Sequence, residues 1–222
     1  MHFVSRAGRF ALALCIATTA AAQAPSQENL STNARLLMAA RNADADALRR
    51  ELANGAAIDS RNRLGETVLI VALKKDRTDL AVIALDAGAD ANLAAVNGIT
   101  PLMAAAYGGH DDIARRLLAK GANPAAVDRL GKTAMTYAAG EGRTAIVQML
   151  LAAGVNPNAV YANDLTALMW AAGYGRTDTV KALLAAGADP ARKDNRGKTA
   201  ADIAREQGFA QTVAALESVP AR

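Results

Sequence analysis

Apolar residues recur along this chain in short runs at a fixed interval, each run opened by a threonine. VLIVAL follows Thr67, PLMAAA follows Thr100, AMTYAA follows Thr133, ALMWAA follows Thr166 and AADIAR follows Thr199, and the openings stand 33 residues apart. A glycine stands 21 residues after each opening register, at Gly55, Gly88, Gly121, Gly154 and Gly187. Two markers in constant phase identify a repeat rather than a single large core. Within a unit the pattern predicts two helices. Each threonine sits where an N-cap hydroxyl can accept from an early helix amide, and Pro101 occupies a first helical position, where its missing N–H costs nothing. In the third unit Leu102, Ala105 and Ala106 give the first helix a narrow apolar side, and Gly108-Gly109 ends it. Ile113, Leu117 and Leu118 then form the apolar stripe of the second helix, which Gly121 closes as a left-handed cap.

Extending the register backwards reaches Ala34, where ARLLMAA replaces the usual opening, so six units are expected, the last one truncated after Leu216-Glu217. No unit of this size buries enough surface to fold alone, so the stack is the folding unit. The ends carry extra polar residues, Arg41, Asn42, Arg49 and Arg50 in the first unit and Glu206, Gln207, Gln211 and Glu217 in the last, as solenoid caps require. The 33-residue period, the TPLMAAA opening and the GADAN, GANPA and GADPA turns resemble the ankyrin repeat over roughly residues 30–218. The histidine of that family's opening is absent throughout, and its proline survives only at Pro101. The resemblance implies an all-α solenoid of paired antiparallel helices with β-turn fingers, and a non-catalytic surface for holding another protein.

The segment before the repeats follows different rules. A basic stretch to Arg9 precedes an apolar run from Phe10 to about Ala22, which reads as a secretory signal peptide over residues 1–22, cleaved after Ala22. The apolar run is too short to span a bilayer, which takes about 20 residues, so no stable membrane insertion is expected. Residues 23–30 read as a flexible leader, 31–218 as the repeat domain and 219–222 as a tail. Cys15 leaves with the signal, and the remaining chain has no thiol, so packing rather than disulfides must hold it together. The expected location is the periplasm of a Gram-negative source, or secretion.

Composition adds two constraints. Hydrophobic residues make up 52% of the chain but aromatics only 4%, which suits thin, closely stacked helices. The formal charge of +4 partly belongs to the expected signal peptide, because removing Arg6 and Arg9 leaves 23 basic against 21 acidic side chains. That balance gives no strong field for phosphate, so no nucleic acid is expected as a partner.

Reactive groups are scarce. His110 is the only histidine beyond the leader and falls in the turn between two helices, where a structural role is expected. Without cysteine or further histidine no zinc site can be assembled, and no metal or cofactor is expected. Ser26, Ser31, Ser60 and Ser218 stand in no nucleophile-elbow sequence. Gly131-Lys132-Thr133 and Gly197-Lys198-Thr199 spell the end of a phosphate-binding loop, but Ala126 and Arg192 stand where its first glycine is needed. Asp111 and Asp112 open a second helix, where negative charge offsets the helix dipole. No catalytic residue is assigned, and an uncharacterised hydrolase is kept only as a minor alternative.

The resemblance implies that a partner lies against the turn tips and the concave face made by the first helices. Carried onto this chain, the tips offer Arg63, Glu66, Asn97, Arg129, Lys132, Asn163, Arg196 and Lys198. The ends of the first helices add Lys74, Lys75, Tyr107 and Tyr174, and their middles add Tyr137 and Trp170. Interfaces draw their energetic anchors from Tyr, Trp and Arg. Tyr107, Tyr137, Trp170 and Tyr174 are therefore expected to line the middle of this face. For Tyr137 and Trp170 an alternative stands beside that reading, in which they seal the groove between first helices. The functional expectation is a monomeric module that binds an exported partner protein; a secreted effector acting on a host protein is the alternative.

Overall fold

The computed structural model describes residues 27–218, which form twelve α-helices arranged as six consecutive pairs. The expected signal peptide and the tail of residues 219–222 lie outside the described residues. The pairs are α1 (Gln27–Asn42) with α2 (Ala45–Ala53), α3 (Val68–Lys74) with α4 (Thr78–Asp86), and α5 (Pro101–Gly108) with α6 (Asp111–Ala119). They continue with α7 (Ala134–Glu141) and α8 (Thr144–Ala152), α9 (Ala167–Gly173) and α10 (Thr177–Ala185), and α11 (Ala200–Glu206) and α12 (Ala210–Glu217). The odd-numbered helices pack on one another along the stack, and the even-numbered ones form a second layer behind them.

Local chemistry explains the boundaries. The hydroxyls of Thr67, Thr100, Thr133, Thr166 and Thr199 each accept from the amide three residues on, in Ile70, Met103, Thr136, Met169 and Asp202. The first unit lacks this stop. Ala34 has no side-chain oxygen to cap a helix, so α1 runs seven residues farther back and takes in residues 27–30, expected as leader. In the last unit α12 ends at Glu217 and has eight residues, against nine in each of the other even-numbered helices.

The core is a column of small and branched side chains. Leu69, Leu102, Met135 and Leu168 are fully or almost fully buried at the same place in successive odd helices, as are Ala72, Ala105, Ala138 and Ala171. Alanine lets neighbouring units approach closely, and removing the larger groups would open cavities costing about 2–5 kcal/mol each. Leu118, expected in the stripe of α6, is only half-buried.

Polar staples tie the second to fifth units each to the one before. In these units the residue preceding the even helix reaches back toward the end of the odd helix in the preceding unit; in the sixth, Phe209 holds that register. Arg77 Nη1 donates to the Ala43 carbonyl at 2.6 Å, Arg143 Nε to Tyr107 at 3.4 Å and Arg176 Nε to Gly140 at 2.9 Å. His110 occupies the same register, and its Nε2 lies 3.1 Å from the Leu73 carbonyl. Behind the odd helices, hydroxyl pairs Thr144–Thr179 and Thr177–Thr212, both at 2.8 Å, link successive even helices.

Candidate functional site

Five fingers, each joining an even helix to the next odd one, project to one side of the stack and end at the cap threonines. Three of them are held by the same device, placed every 66 residues. The side-chain oxygen of Asn62 accepts from the amides of Leu64 and Glu66 at 2.8 and 3.0 Å. Asp128 accepts from Leu130 and Lys132, both at 2.8 Å, and Asp194 accepts from Arg196 and Lys198, both at 2.9 Å. These Asx turns were missed in the sequence, although an Asx five residues before the cap threonine in alternate units was a readable signal. The fourth finger lacks the device, because Tyr161 holds that register. There Asn163 and Asp164 both adopt left-handed backbone, with φ of 62° and 58°.

Neighbouring fingers are also bonded to each other. Val96 N donates to Leu64 O at 2.8 Å, Arg129 N to Asn97 O at 3.0 Å and Asn195 N to Asn163 O at 3.1 Å. The third and fourth fingers share no such bond among the described residues, so the row of tips is interrupted beside the irregular finger.

The expected partner-facing residues divide into groups. Arg63, Lys75, Asn97, Arg129, Asn163 and Arg196 are exposed at tips or helix ends. Glu66 is a correction: it is buried, with 8% of its surface accessible, and is not a tip residue. It accepts from Lys74 Nζ at 2.5 Å and from Asn62 Nδ2 at 2.8 Å. Burial pushes its carboxyl pKa up, but the bonds from Lys74 and Asn62 and the ammonium charge outweigh this, and it lies below the usual glutamate value. Two more of the expected residues are engaged within the fold. Arg196 grips the buried Asp194 carboxylate at 2.7 and 2.9 Å, and Lys198 pairs with Glu206.

The four aromatics do come together, as two pairs. Tyr107 and Tyr137 meet edge to face with ring centres 6.1 Å apart, and Trp170 and Tyr174 stack with centres 6.2 Å apart and planes within 7°. Tyr107 and Tyr174 are 58% and 52% exposed, whereas Tyr137 and Trp170 are half-buried beneath them. Tyr137 is fixed by its hydroxyl, which donates to Asp128 Oδ2 at 2.6 Å. Burial and this bond push its pKa well above the usual tyrosine range. Lys132 extends its ammonium between the pairs, 4.8 Å from the Trp170 ring centre and 5.5 Å from that of Tyr137. Tyr137 and Trp170 thus serve as packed floor, with Tyr107 and Tyr174 as the accessible rims.

Two grooves lie to the N-terminal side of this cluster, and the first adjoins it. One, of about 300 Å³, runs between Ile70, Ile99, Met103 and the Tyr107–Tyr137 pair. The other, of about 580 Å³, is lined by Leu37, Met38, Arg41, Leu64 and Val71. The Glu66–Lys74 ion pair borders both and forms a polar bar between them. Met38 and Leu64, which lie on the second groove, are 59% and 61% exposed. Large accessible apolar side chains at a groove edge are the usual mark of a binding surface.

Elsewhere the chemistry is spare. His110 is 7% exposed and engaged with Leu73 and Asp76. Asp111 and Asp112 stand in the first turn of α6, and Asp112 is paired with Arg115 at 2.6 Å. Among the described residues no group of three His, Cys, Asp or Glu side chains could hold a metal ion, and no helix is long and apolar enough to cross a membrane.

Comparison with known proteins agrees with this geometry. A family model described as ankyrin repeats in three copies matches residues 36–128, 79–161 and 135–218. The crystal structure of EF0377, an ankyrin repeat protein, superposes with a TM-score of 0.75 at 30% sequence identity, covering 85% of this chain and 98% of that one. No curated protein matches the chain.

Proposed function

The chain belongs to the ankyrin-repeat family, and from that premise we propose that it captures an exported partner protein in the periplasm through its concave first-helix face. Ankyrin repeats make it a protein–protein interaction module, in a family that is generally non-catalytic. The exported location and monomeric state are part of the proposal, and the N-terminal basic-then-apolar segment supports export. One observation carries the choice of face: Tyr107 and Tyr174 stand about half exposed over a fixed floor of Tyr137 and Trp170. Rigid aromatics held partly out of their own core add contact area at little entropic cost on binding.

The test is crosslinking of tagged chain in intact cells, followed by fractionation and mass spectrometry. Capture of one periplasmic protein is expected, and it should vanish in the Tyr107→Ala, Trp170→Ala, Tyr174→Ala triple variant while far-ultraviolet dichroism stays unchanged. Capture that survives the triple variant would show that the partner uses another face. Recovery of the chain only from the cytoplasm would overturn the location.

A further inference from the structure

Two positions recur in each of the last five units: the residue just before the cap threonine, and the residue eight places later near the end of the odd helix. In the second unit they hold Glu66 and Lys74, ion-paired at 2.5 Å. In the sixth they hold Lys198 and Glu206, paired with the charges exchanged. The third unit has Ile99 and Tyr107 and the fifth has Leu165 and Gly173, so neither presents a charge there. Only the fourth unit sets an ammonium without its counter-ion, with Lys132 matched to Gly140.

Nothing else in the fourth unit neutralises Lys132. The carboxylate of the same finger, Asp128, spends Oδ1 on the amides of Leu130 and Lys132 and Oδ2 on the Tyr137 hydroxyl. Glu141, beside Gly140, is drawn to Arg176 at 4.0 Å. Lys132 lies instead against the rings of Trp170 and Tyr137, half-buried. The indole Nε1 of Trp170 is also buried without a hydrogen-bond partner. Gly140 is buried beside them, under the rings of Tyr174 and Trp170. A Cβ there would come no closer than 3.6 Å to Tyr174 and 3.8 Å to Trp170, which is ordinary contact.

We propose that the empty counter-ion place is filled in trans, by an aspartate or glutamate side chain of the partner protein that docks on Lys132 between the Tyr107–Tyr137 and Trp170–Tyr174 pairs. This rests on the concave-face reading above and names the chemistry that the face selects. The charge is complementary, and a carboxylate that meets an ammonium away from bulk water makes a stronger bond than a neutral acceptor. The aromatic walls supply apolar contact for the residues flanking the acid. A basic residue at the same place would meet Lys132 as a like charge and be rejected.

Trp170 is the only tryptophan in the chain, so its fluorescence reads binding at this place. The probes are end-blocked, tryptophan-free peptide pools with a central Glu, Gln or Lys between randomised apolar residues. The Glu pool is expected to perturb Trp170 emission with an affinity about tenfold or more above the Gln pool, and the Lys pool not at all. Lys132→Met should erase the difference between Glu and Gln. Gly140→Glu should do the same by restoring the ion pair within the chain, whereas Gly140→Gln, of equal size, should retain the preference. Far-ultraviolet dichroism checks that each variant is folded. Equal binding of the Glu and Gln pools, or a preference that survives Lys132→Met, overturns the proposal. If the pools bind equally but weaken together in Tyr107→Ala and Tyr174→Ala, the carboxylate fails while the concave face stands. If no pool perturbs Trp170, both fail.

Discussion

The imidazole Nε2–H of His110 donates to the Leu73 carbonyl, 3.1 Å away in the preceding unit. A carbonyl can only accept, which settles the direction of this bond. Arg77, Arg143 and Arg176 hold the same register and donate to carbonyls in the same way, so His110 is one member of a row of staples. The ring also lies against Gly108, where a Cβ would come within 2.3 Å of Nε2. Replacing His110 with alanine removes this bond between units, leaves the Leu73 carbonyl only the one from Asp76 N at 3.2 Å, and should cost about 0.5–1.5 kcal/mol in urea unfolding. Its effect on stability should be clear even if partner binding is untouched. A His110→Ala variant as stable as the parent would refute the staple.

The fourth finger invites a stabilising change. Gly65, Gly98, Gly131 and Gly197 hold the left-handed position in their fingers with φ of 70–84°, and Asp164 stands there with φ of 58°. A side chain in this region carries a penalty that glycine avoids. Asp164→Gly should therefore raise the stability of the chain by about 0.5–1 kcal/mol, offset in part by glycine's greater freedom when unfolded. Thermal melting checks this, and a lowered Tm would mean that the Asp164 side chain holds the finger in a way its backbone does not show.

The phase of the units, the cap threonines and the helix pairs were legible because each follows from local chemistry repeated at a constant interval. What was not legible came from contacts between residues whose partners lie outside that local pattern. Glu66 reads as a tip residue by position, yet Asn62 and Lys74 draw it inside, and only the fold shows that its eight-residue neighbour is within bonding range. The same holds for Asp128, a polar finger residue in the sequence and a buried anchor for the Tyr137 hydroxyl in the structure. The extension of α1 past Ala34 was hidden for the opposite reason, since it depends on a capping group being absent. The aromatic positions were visible as a cluster, but their division into floor and rim needed the packing of α5, α7 and α9.

Buried Glu66 makes the second unit sensitive to acid. In the folded chain its pKa lies below the ordinary glutamate value. A depressed carboxyl stabilises the fold fully above the unfolded value and loses that contribution as pH falls through the folded one. Glu66→Gln should therefore lower stability at neutral pH, where the ion pair with Lys74 is intact, and flatten the loss of stability as pH falls below the ordinary glutamate range. Urea unfolding of the two proteins as a function of pH provides the check. Parallel pH profiles would show that Glu66 is not among the groups driving acid unfolding.

The cap threonines should not be equivalent, although their local geometry is the same. Thr100 accepts from Met103 N at 3.2 Å in a unit with neighbours on both sides, and Thr199 accepts from Asp202 N at 3.2 Å in the last unit. Losing an N-cap hydroxyl costs about 1 kcal/mol locally in either place. In a solenoid, stability is a sum of unit terms and nearest-neighbour interfaces, so an inner unit cannot open without breaking two interfaces whereas an end unit breaks one. Thr199→Ala should consequently speed amide exchange in α11 and α12 while leaving the exchange of α3 and α5 unchanged. Thr100→Ala should instead weaken the whole array, seen as a shift of the single unfolding transition with no unit exchanging selectively. Uniform acceleration across all six units in Thr199→Ala would show that the end unit opens only with the rest, and that the stack behaves as one cooperative block rather than as a chain of interfaces.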